Sequence, residues 1–477
     1  MPALALRLLA VILAASLTAC VAGPPPEIAT PTPQLPENYA FAVDGPSAAS
    51  LEALLPQDDP AFSALSQAAL DRSPTLAEAL ARVEAARAGA RRAGAERLPN
   101  VGIDASITEN RINPNQFGSD NPFAQAIDTT QVSYGANITA SWDTDLFGRL
   151  RAQERAAIAR IDAASASASA VRLALLAEIA GSVIDWRALE ARSRAIESDV
   201  AAATRLAALA KTREDAGIAP GFDRVRAESQ ASASRSRLAA LKSERAQLIG
   251  RLVTLTSLSG ADVVRALSIS NTRKTLAAAP ASLPSELLAN RPDVLAAAAE
   301  LAASDAELAA TARARFPRLT LSGVLGLLSF SPSNFFDEDS LVRTLTAGVA
   351  GPLLDFGRIE AEIEGAAANK RIAFQAYRGV VFQALGDAEA AYGLVTATEE
   401  QASLAAQERD ELERAARLAD DRYRAGLASF LEVLEARRAA DTSGERAAAA
   451  LGAAQRARII LWQALGGDAS MTSDEEA

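Results

Sequence analysis

The two halves of this 477-residue chain carry the same signposts in the same order. Arg72-Ser73-Pro74-Thr75-Leu76 corresponds to Asn290-Arg291-Pro292-Asp293-Val294, and Arg97-Leu98-Pro99 to Arg315-Phe316-Pro317, both at an offset of 218 residues. Phe147-Gly148-Arg149 corresponds to Phe356-Gly357-Arg358, and Ala216-Gly217-Ile218-Ala219 to Ala425-Gly426-Leu427-Ala428, at an offset of 209. The offset changes once, between Pro99 and Phe147, which marks a loop-length difference inside a tandem duplication. Whatever the chain folds into must be buildable twice.

Repeat 1 runs over 60–259 and repeat 2 over 284–465, with an inter-repeat linker at 260–283 and a C-terminal tail at 466–477. Each repeat opens with a helix rich in Ala, Leu and Glu, from about Pro60 to Arg97 and from Pro284 to Arg315, closed by Pro99 and Pro317. A strand pair follows, 100–112 with 130–141 and 318–330 with 341–351. Two long helices joined by a glycine-containing turn complete each repeat, 148–213 with 221–258 and 357–424 with 430–465. About 66 residues of helix extend roughly 100 Å, a span and not a globule. Val171, Leu175, Ile179, Val183 and Trp186 recur every three or four positions, so one face packs on neighbouring helices in coiled-coil fashion. The alternating Ala and Ser of Asp162 to Ala170 read as a close-packing helical stripe.

The strand segments alternate with period two. Val101, Ile103, Ala105 and Ile107 face one way, while Gly102, Asp104, Ser106 and Thr108 face the other. Val132, Tyr134, Ala136 and Ile138 oppose Ser133, Gly135, Asn137 and Thr139. In repeat 2, Leu319, Leu321 and Leu325 oppose Thr320 and Ser322, and Leu345, Ala347 and Val349 oppose Thr344, Thr346 and Gly348. Runs of roughly ten residues with one apolar face suit the strands of a transmembrane barrel, and equally a half-buried sheet in a soluble domain. The joining segments, Asn113 to Thr129 and Ser331 to Ser340, are rich in turn formers and read as solvent loops.

The N-terminus decides between those alternatives. Met1 to Cys20 has the form of a secretory signal (residues 1–19 removed), with Arg7 before an apolar run from Leu8 to Leu17 too short to span a bilayer. Leu17-Thr18-Ala19-Cys20 resembles a bacterial lipobox, whose cysteine becomes the lipidated N-terminus. Val21 stands where Asp would signal retention in the inner membrane, so the implied destination is the outer membrane. Residues 20–59 begin with a Pro-rich, extended leader that tethers and does not fold as a core. No segment of the mature chain offers eighteen uninterrupted apolar residues, so lipid must be crossed by strands. Four strands cannot close a barrel, because an open edge in lipid leaves unpaired N–H and C=O groups. The chain must oligomerise; a dimer supplies eight strands and a trimer twelve, and arithmetic alone does not choose.

Composition removes most chemistry. With 48 Lys and Arg against 59 Asp and Glu, the net charge of −11 argues against a nucleic-acid partner. No His and a single Cys exclude His-dependent triads, His-ligated metals and intramolecular disulfides. No cofactor is implied beyond a covalent lipid on Cys20.

The motifs Ser141-Trp142-Asp143-Thr144-Asp145-Leu146-Phe147-Gly148-Arg149 and Gly351-Pro352-Leu353-Leu354-Asp355-Phe356-Gly357-Arg358, with Arg291-Pro292-Asp293, Tyr423 to Leu434 and Trp462 to Gly466, resemble the outer membrane factors of the TolC/OprM type, in particular the NodT-like lipoproteins of tripartite efflux systems. The resemblance covers nearly the whole mature chain. It implies an α+β membrane protein, a homotrimer whose twelve-stranded barrel continues as a twelve-helix periplasmic tunnel. Its partners would be a periplasmic adaptor and an inner-membrane pump of the RND class, and it would be no enzyme. The linker would lie at the tunnel's equator.

At the barrel-to-helix transition, Gly148 and Gly357 let strand turn into helix, Asp145 and Asp355 sit where a helix N-terminus favours negative charge, and Arg149 and Arg358 follow. The turns Gly217-Ile218-Ala219 and Gly426-Leu427-Ala428 are, by resemblance, the periplasmic tips that meet the adaptor; as bare sequence they are αα turns with a glycine cap. Asp223 and Tyr423 match positions that lock neighbouring helix pairs, although position 428, often basic in the family, is Ala428 here. Glu432 and Glu435 align with the acidic ring at the family's constriction.

Two rival classes are weaker. An enzyme would have to use acids such as Asp337, Glu338 and Asp339, which lie in a strand-joining loop with no supporting ligand spacing. A soluble coiled-coil scaffold explains the helices but neither the lipobox nor the alternating segments. Within the channel reading, the alternative is the outer-membrane duct of a one-step protein secretion system.

Overall fold

The computed structural model describes residues 27–41, 51–111, 113, 130–269 and 287–467. Cys20 and most of the 113–129 loop lie outside them, as do 270–283 of the linker and the tail from 468. The chain forms two compact units. The first contains residues 84–163 and 298–376 with the chain up to Pro31; the second contains 32–83, 164–297 and 377–477.

The first unit holds the sheet. Its strands β1 (Asn100–Arg111), β2 (Thr130–Asp143), β3 (Arg318–Ser329) and β4 (Leu341–Ala350) form one antiparallel sheet in sequence order. β1 pairs Asn100 with Ser141, β2 pairs Tyr134 with Ser329, and β3 pairs Arg318 with Ala350. Ile103, Ile138 and Leu325 therefore share one cross-strand row. Among the described residues nothing covers that face: Ile103 is 87% exposed and Leu345 86%. A soluble half-buried sheet would have hidden them. β1 and β4 are the sheet's two edges. The loop 331–340 is built from two short 3-10 turns, Pro332–Asn334 and Glu338–Ser340.

The helices differ from the sequence expectation in instructive places. The single helix expected over 60–97 is two, α1 (Pro60–Arg72) and α2 (Pro74–Ala95), because Ser73 closes the first with its N–H on Ala69 and Pro74 has no N–H to continue the ladder. The helix expected over 284–315 is likewise divided by Arg291 before Pro292, into α6 (Leu287–Asn290) and α7 (Pro292–Ala312), with a 3-10 turn at Arg313–Arg315. The long helices are α3 (Arg149–Asp215), α4 (Gly221–Thr256), α8 (Arg358–Arg424) and α9 (Phe430–Ala464). α4 stops short of 258 because Ser257 is left-handed, at φ 54°. The expected linker starts with a further helix, α5 (Gly260–Leu267), capped by Ser259 and burying Val263 and Leu267.

One stretch of α3 is long and apolar enough to cross a membrane by length and composition, contrary to the expectation of no such helix, yet 56% of it is buried in protein. Its Ala168 packs against Ala79 and Val83, as the Ala/Ser stripe predicts.

The second unit is centred on Trp186, Trp462, Tyr392, Leu55, Leu65 and Leu252, all nearly inaccessible. Two arginines pin its entry points. Arg187 pairs with Asp59, the N-cap of α1, at 2.9 Å and donates to the carbonyls of Leu267 and Ile269. Arg291 reaches Asp293, Asp387 and the Ala464 carbonyl. The leader is not merely a tether. Tyr39 is buried 5.2 Å from the Tyr392 ring, and the Ala40 N–H donates to Glu389.

Candidate functional site

The two barrel-to-helix turns are built differently despite their matching motifs. In the first, Asp145 takes a left-handed φ of 50° and its carboxylate accepts the N–H groups of Leu150 and Arg151 at 2.8 and 2.9 Å, orphan donors of α3. Gly148 follows at φ 76°, Arg149 pairs with Asp143 at 3.2 Å, and the Thr144 N–H holds the Leu319 carbonyl of β3. Phe147 stacks on Phe316, ring centres 4.8 Å apart. In the second, the acid sits one place later in the repeat. Asp355 accepts from Gly357 at 3.3 Å and Ile359 at 2.9 Å. The Ile359 N–H is the main reason its carboxyl lies below the usual range. Left-handed backbone here falls on Phe356 (φ 52°) and Gly357 (φ 87°), and Arg358 pairs with Glu362 along its own helix.

Below the sheet in the same unit, α2, α3, α7 and α8 enclose a groove of about 830 Å³. Its floor is small, with Gly89, Ala156, Ala310 and Gly365; Arg160 and Glu307 pair across it. Small floor residues leave open volume that a Leu-rich helix surface would fill.

The tips lie in the second unit and are a matched pair. The N–H groups of Gly217 and Ile218 bond the carbonyls of Glu214 and Arg213; those of Gly426 and Leu427 bond Tyr423 and Arg422. Both are Schellman closures, with Gly217 at φ 71° and Gly426 at φ 74°. Ile218 and Leu427 are left exposed, and Ala219 and Ala428 are half-buried.

Tyr423 is buried, 4% exposed, in a cluster with Leu206, Ala210, Phe430 and Leu434. Among the described residues no hydrogen bond joins it to Asp223. Its companion is instead Arg213, whose guanidinium lies over the ring. Burial raises the phenol, Arg213 lowers it, and the nearby charge of Asp223 raises it again. Arg213 carries no sequence signal, because a basic residue in the last turn of a helix is ordinary. Glu432 forms a capping box: it accepts the Ser429 N–H at 2.7 Å, and Ser429 accepts its N–H. Glu435 is exposed. Asp223 and Glu432 occupy equivalent positions in the two repeats, three residues beyond Pro220 and Ser429.

A second pair of acids is also silent in the sequence. Asp199 on α3 and Asp441 on α9 are buried against each other, and burial raises both carboxyls, that of Asp199 to about 7. Arg237 stands 3.6 Å from Asp199, and Gln230 donates to Asp441 at 3.5 Å.

The family model for outer membrane efflux proteins matches residues 65–261 and 283–467. The pyoverdine export outer membrane protein OpmQ of Pseudomonas putida is 30% identical over 465 residues, covering 95% of this chain and 96% of the relative. Outer membrane protein OprJ of Pseudomonas aeruginosa is 29% identical over 468 residues, covering 96% and 95%. Among solved structures, the outer-membrane channel OprN superposes with a TM-score of 0.83 at 25% identity, over 93% of this chain and 98% of that one.

Proposed function

The chain belongs to the outer membrane efflux protein family, and on that premise we propose that three copies close a twelve-stranded barrel in the outer membrane, extended by a twelve-helix tunnel in the periplasm. The assembly is the exit duct of a tripartite efflux pump and conducts small molecules passively to the exterior. The observation that carries the reading is the uncovered apolar face of a four-stranded sheet with two free edges, which only lipid and further strands can satisfy. The small-floored groove supports a conducting wall. Relatives named for pyoverdine export and for solvent and toluene efflux support small-molecule cargo.

The remaining roles belong to the same proposal. Cys20 carries the lipid anchor. The exposed Ile218 and Leu427 present apolar side chains to a periplasmic adaptor, which couples the duct to an inner-membrane pump of the RND class. Arg213, Asp223 and Tyr423 restrain the closed tip, with Arg213 as the cation that Ala428 does not provide. Glu432 and Glu435, in three copies, bias the constriction toward cations. The duct performs no catalysis, and the pump selects the cargo.

The test is the mass of the purified protein in detergent together with single-channel recording in planar bilayers. A trimer that forms pores is expected; a water-soluble monomer without pores overturns the reading.

A further inference from the structure

The strand register inside one chain also sets what meets at the seams between chains. Shifted by the repeat offsets, 218 for the first strand and 209 for the second, the β1–β2 pairing reproduces the β3–β4 pairing: Asn100 opposite Ser141 becomes Arg318 opposite Ala350. The same shift carries the β2–β3 junction onto the junction of β4 with β1 of the next subunit. Tyr134 opposite Ser329 then becomes Arg343 opposite the partner subunit's Arg111.

Both arginines stand on the apolar face, in line with Leu345 and Ile107, at the loop end of the strands. Arg343 is the third residue of β4, within about 7 Å of its end, and Arg111 is the last of β1. Both are exposed. Among the described residues neither side chain has a hydrogen bond or ion pair, although Asp337, Glu338 and Asp339 lie just ahead of Arg343. Like charges directly opposite on neighbouring strands repel. A cation on the lipid face is tolerated near the interface, where its stem can reach the headgroups. By the same register the partner subunit's Glu109 stands opposite Leu345 and offsets one of the two charges, so the seam stays positive.

We propose that each of the three seams binds a phosphate group of an outer-leaflet glycolipid, held by the guanidiniums of Arg343 and the partner subunit's Arg111. A phosphate matches two planar forks at once and removes the repulsion between them. The site is incomplete in one chain and rests on the trimeric barrel proposed above.

The purified trimer is titrated with a diphosphorylated glycolipid and with the same lipid after phosphatase treatment, and bound lipid is counted by native mass spectrometry. Up to three phosphorylated molecules per wild-type trimer are expected, with at least tenfold weaker retention by the Arg111→Gln/Arg343→Gln variant and comparably weak retention of the dephosphorylated lipid. Equal retention by the variant, or of the dephosphorylated lipid by wild type, overturns the site. The register has its own test. Arg111→Cys combined with Arg343→Cys, treated with a short bis-methanethiosulfonate, which forms a disulfide with each thiol and releases methanesulfinate, gives a covalent ladder up to trimer that neither single variant gives. A trimer without that ladder overturns the register and the site with it, whereas a monomeric preparation overturns the barrel itself.

Discussion

The guanidinium of Arg213, in the last turn of α3, lies 4.7 Å from the ring centre of Tyr423 on α8. A cation over an aromatic face is worth about 0.5–2 kcal/mol, more as water is excluded, so this contact and not an Asp223–Tyr423 hydrogen bond ties the tip helices within one chain. Arg213→Ala is expected to raise the conductance of the closed channel severalfold. Tyr423→Phe keeps the ring and should change it much less. Single-channel recording reads both, and an Arg213→Ala channel as tight as wild type removes Arg213 from the lock.

The acidic constriction has to be tested without disturbing a cap. Glu432→Gln alters the capping box of α9 as well as the charge, whereas Glu435 is exposed and has no such bond among the described residues. Glu435→Gln alone should lower cation-over-anion selectivity, and adding Glu432→Gln should lower it further. Reversal potentials in a salt gradient provide the readout. Unchanged values in the double variant count against the ring.

Two glycines predict opposite kinds of damage. At Gly357 an added Cβ meets nothing within 4 Å, so Gly357→Ala acts through its φ of 87° alone and destabilises the turn by about 1–2 kcal/mol. At Gly326 an added Cβ runs into the Ala136 carbonyl and Asn137 on β2, where the backbone cannot yield. Gly326→Ala should therefore abolish trimer assembly, while Gly357→Ala lowers only the melting temperature. Gel mobility of unheated trimer separates the two.

The buried acids give a pH dependence. Burial and the neighbouring Asp441 push the Asp199 carboxyl up to about 7, with Arg237 opposing and Glu445 adding to the shift. Arg237, Arg437 and Gln230 face Asp441 and favour its charge. A carboxyl raised above its unfolded value of about 4 binds its proton more tightly when folded. Its stabilisation is complete below about pH 4 and is lost as pH rises toward 7. Melting curves should show wild type losing several degrees relative to Asp199→Asn between pH 5 and 8, and parallel curves would contradict the raised Asp199 carboxyl.

Much of this protein is local and therefore legible in its sequence. Period-two alternation reports strands because successive side chains leave opposite faces, and the glycines of the tips report helix ends because only they enter the left-handed region freely. The duplication even carries the strand register, since both repeats pair with the same spacing. The tertiary structure alone decided the rest. Matching motifs at 145–149 and 355–358 fold into unlike turns because the acid is displaced by one residue: both cap the repeat-equivalent N–H groups of Leu150 and Ile359, but the second donor is Arg151 in one and Gly357 in the other. Residues near Tyr39 dock on α8 although their Pro-rich sequence has no periodicity. Arg213 over Tyr423, and Asp199 against Asp441, join helices from distant parts of the chain. Such contacts depend on which helix faces meet, and no pattern within either helix records its partner.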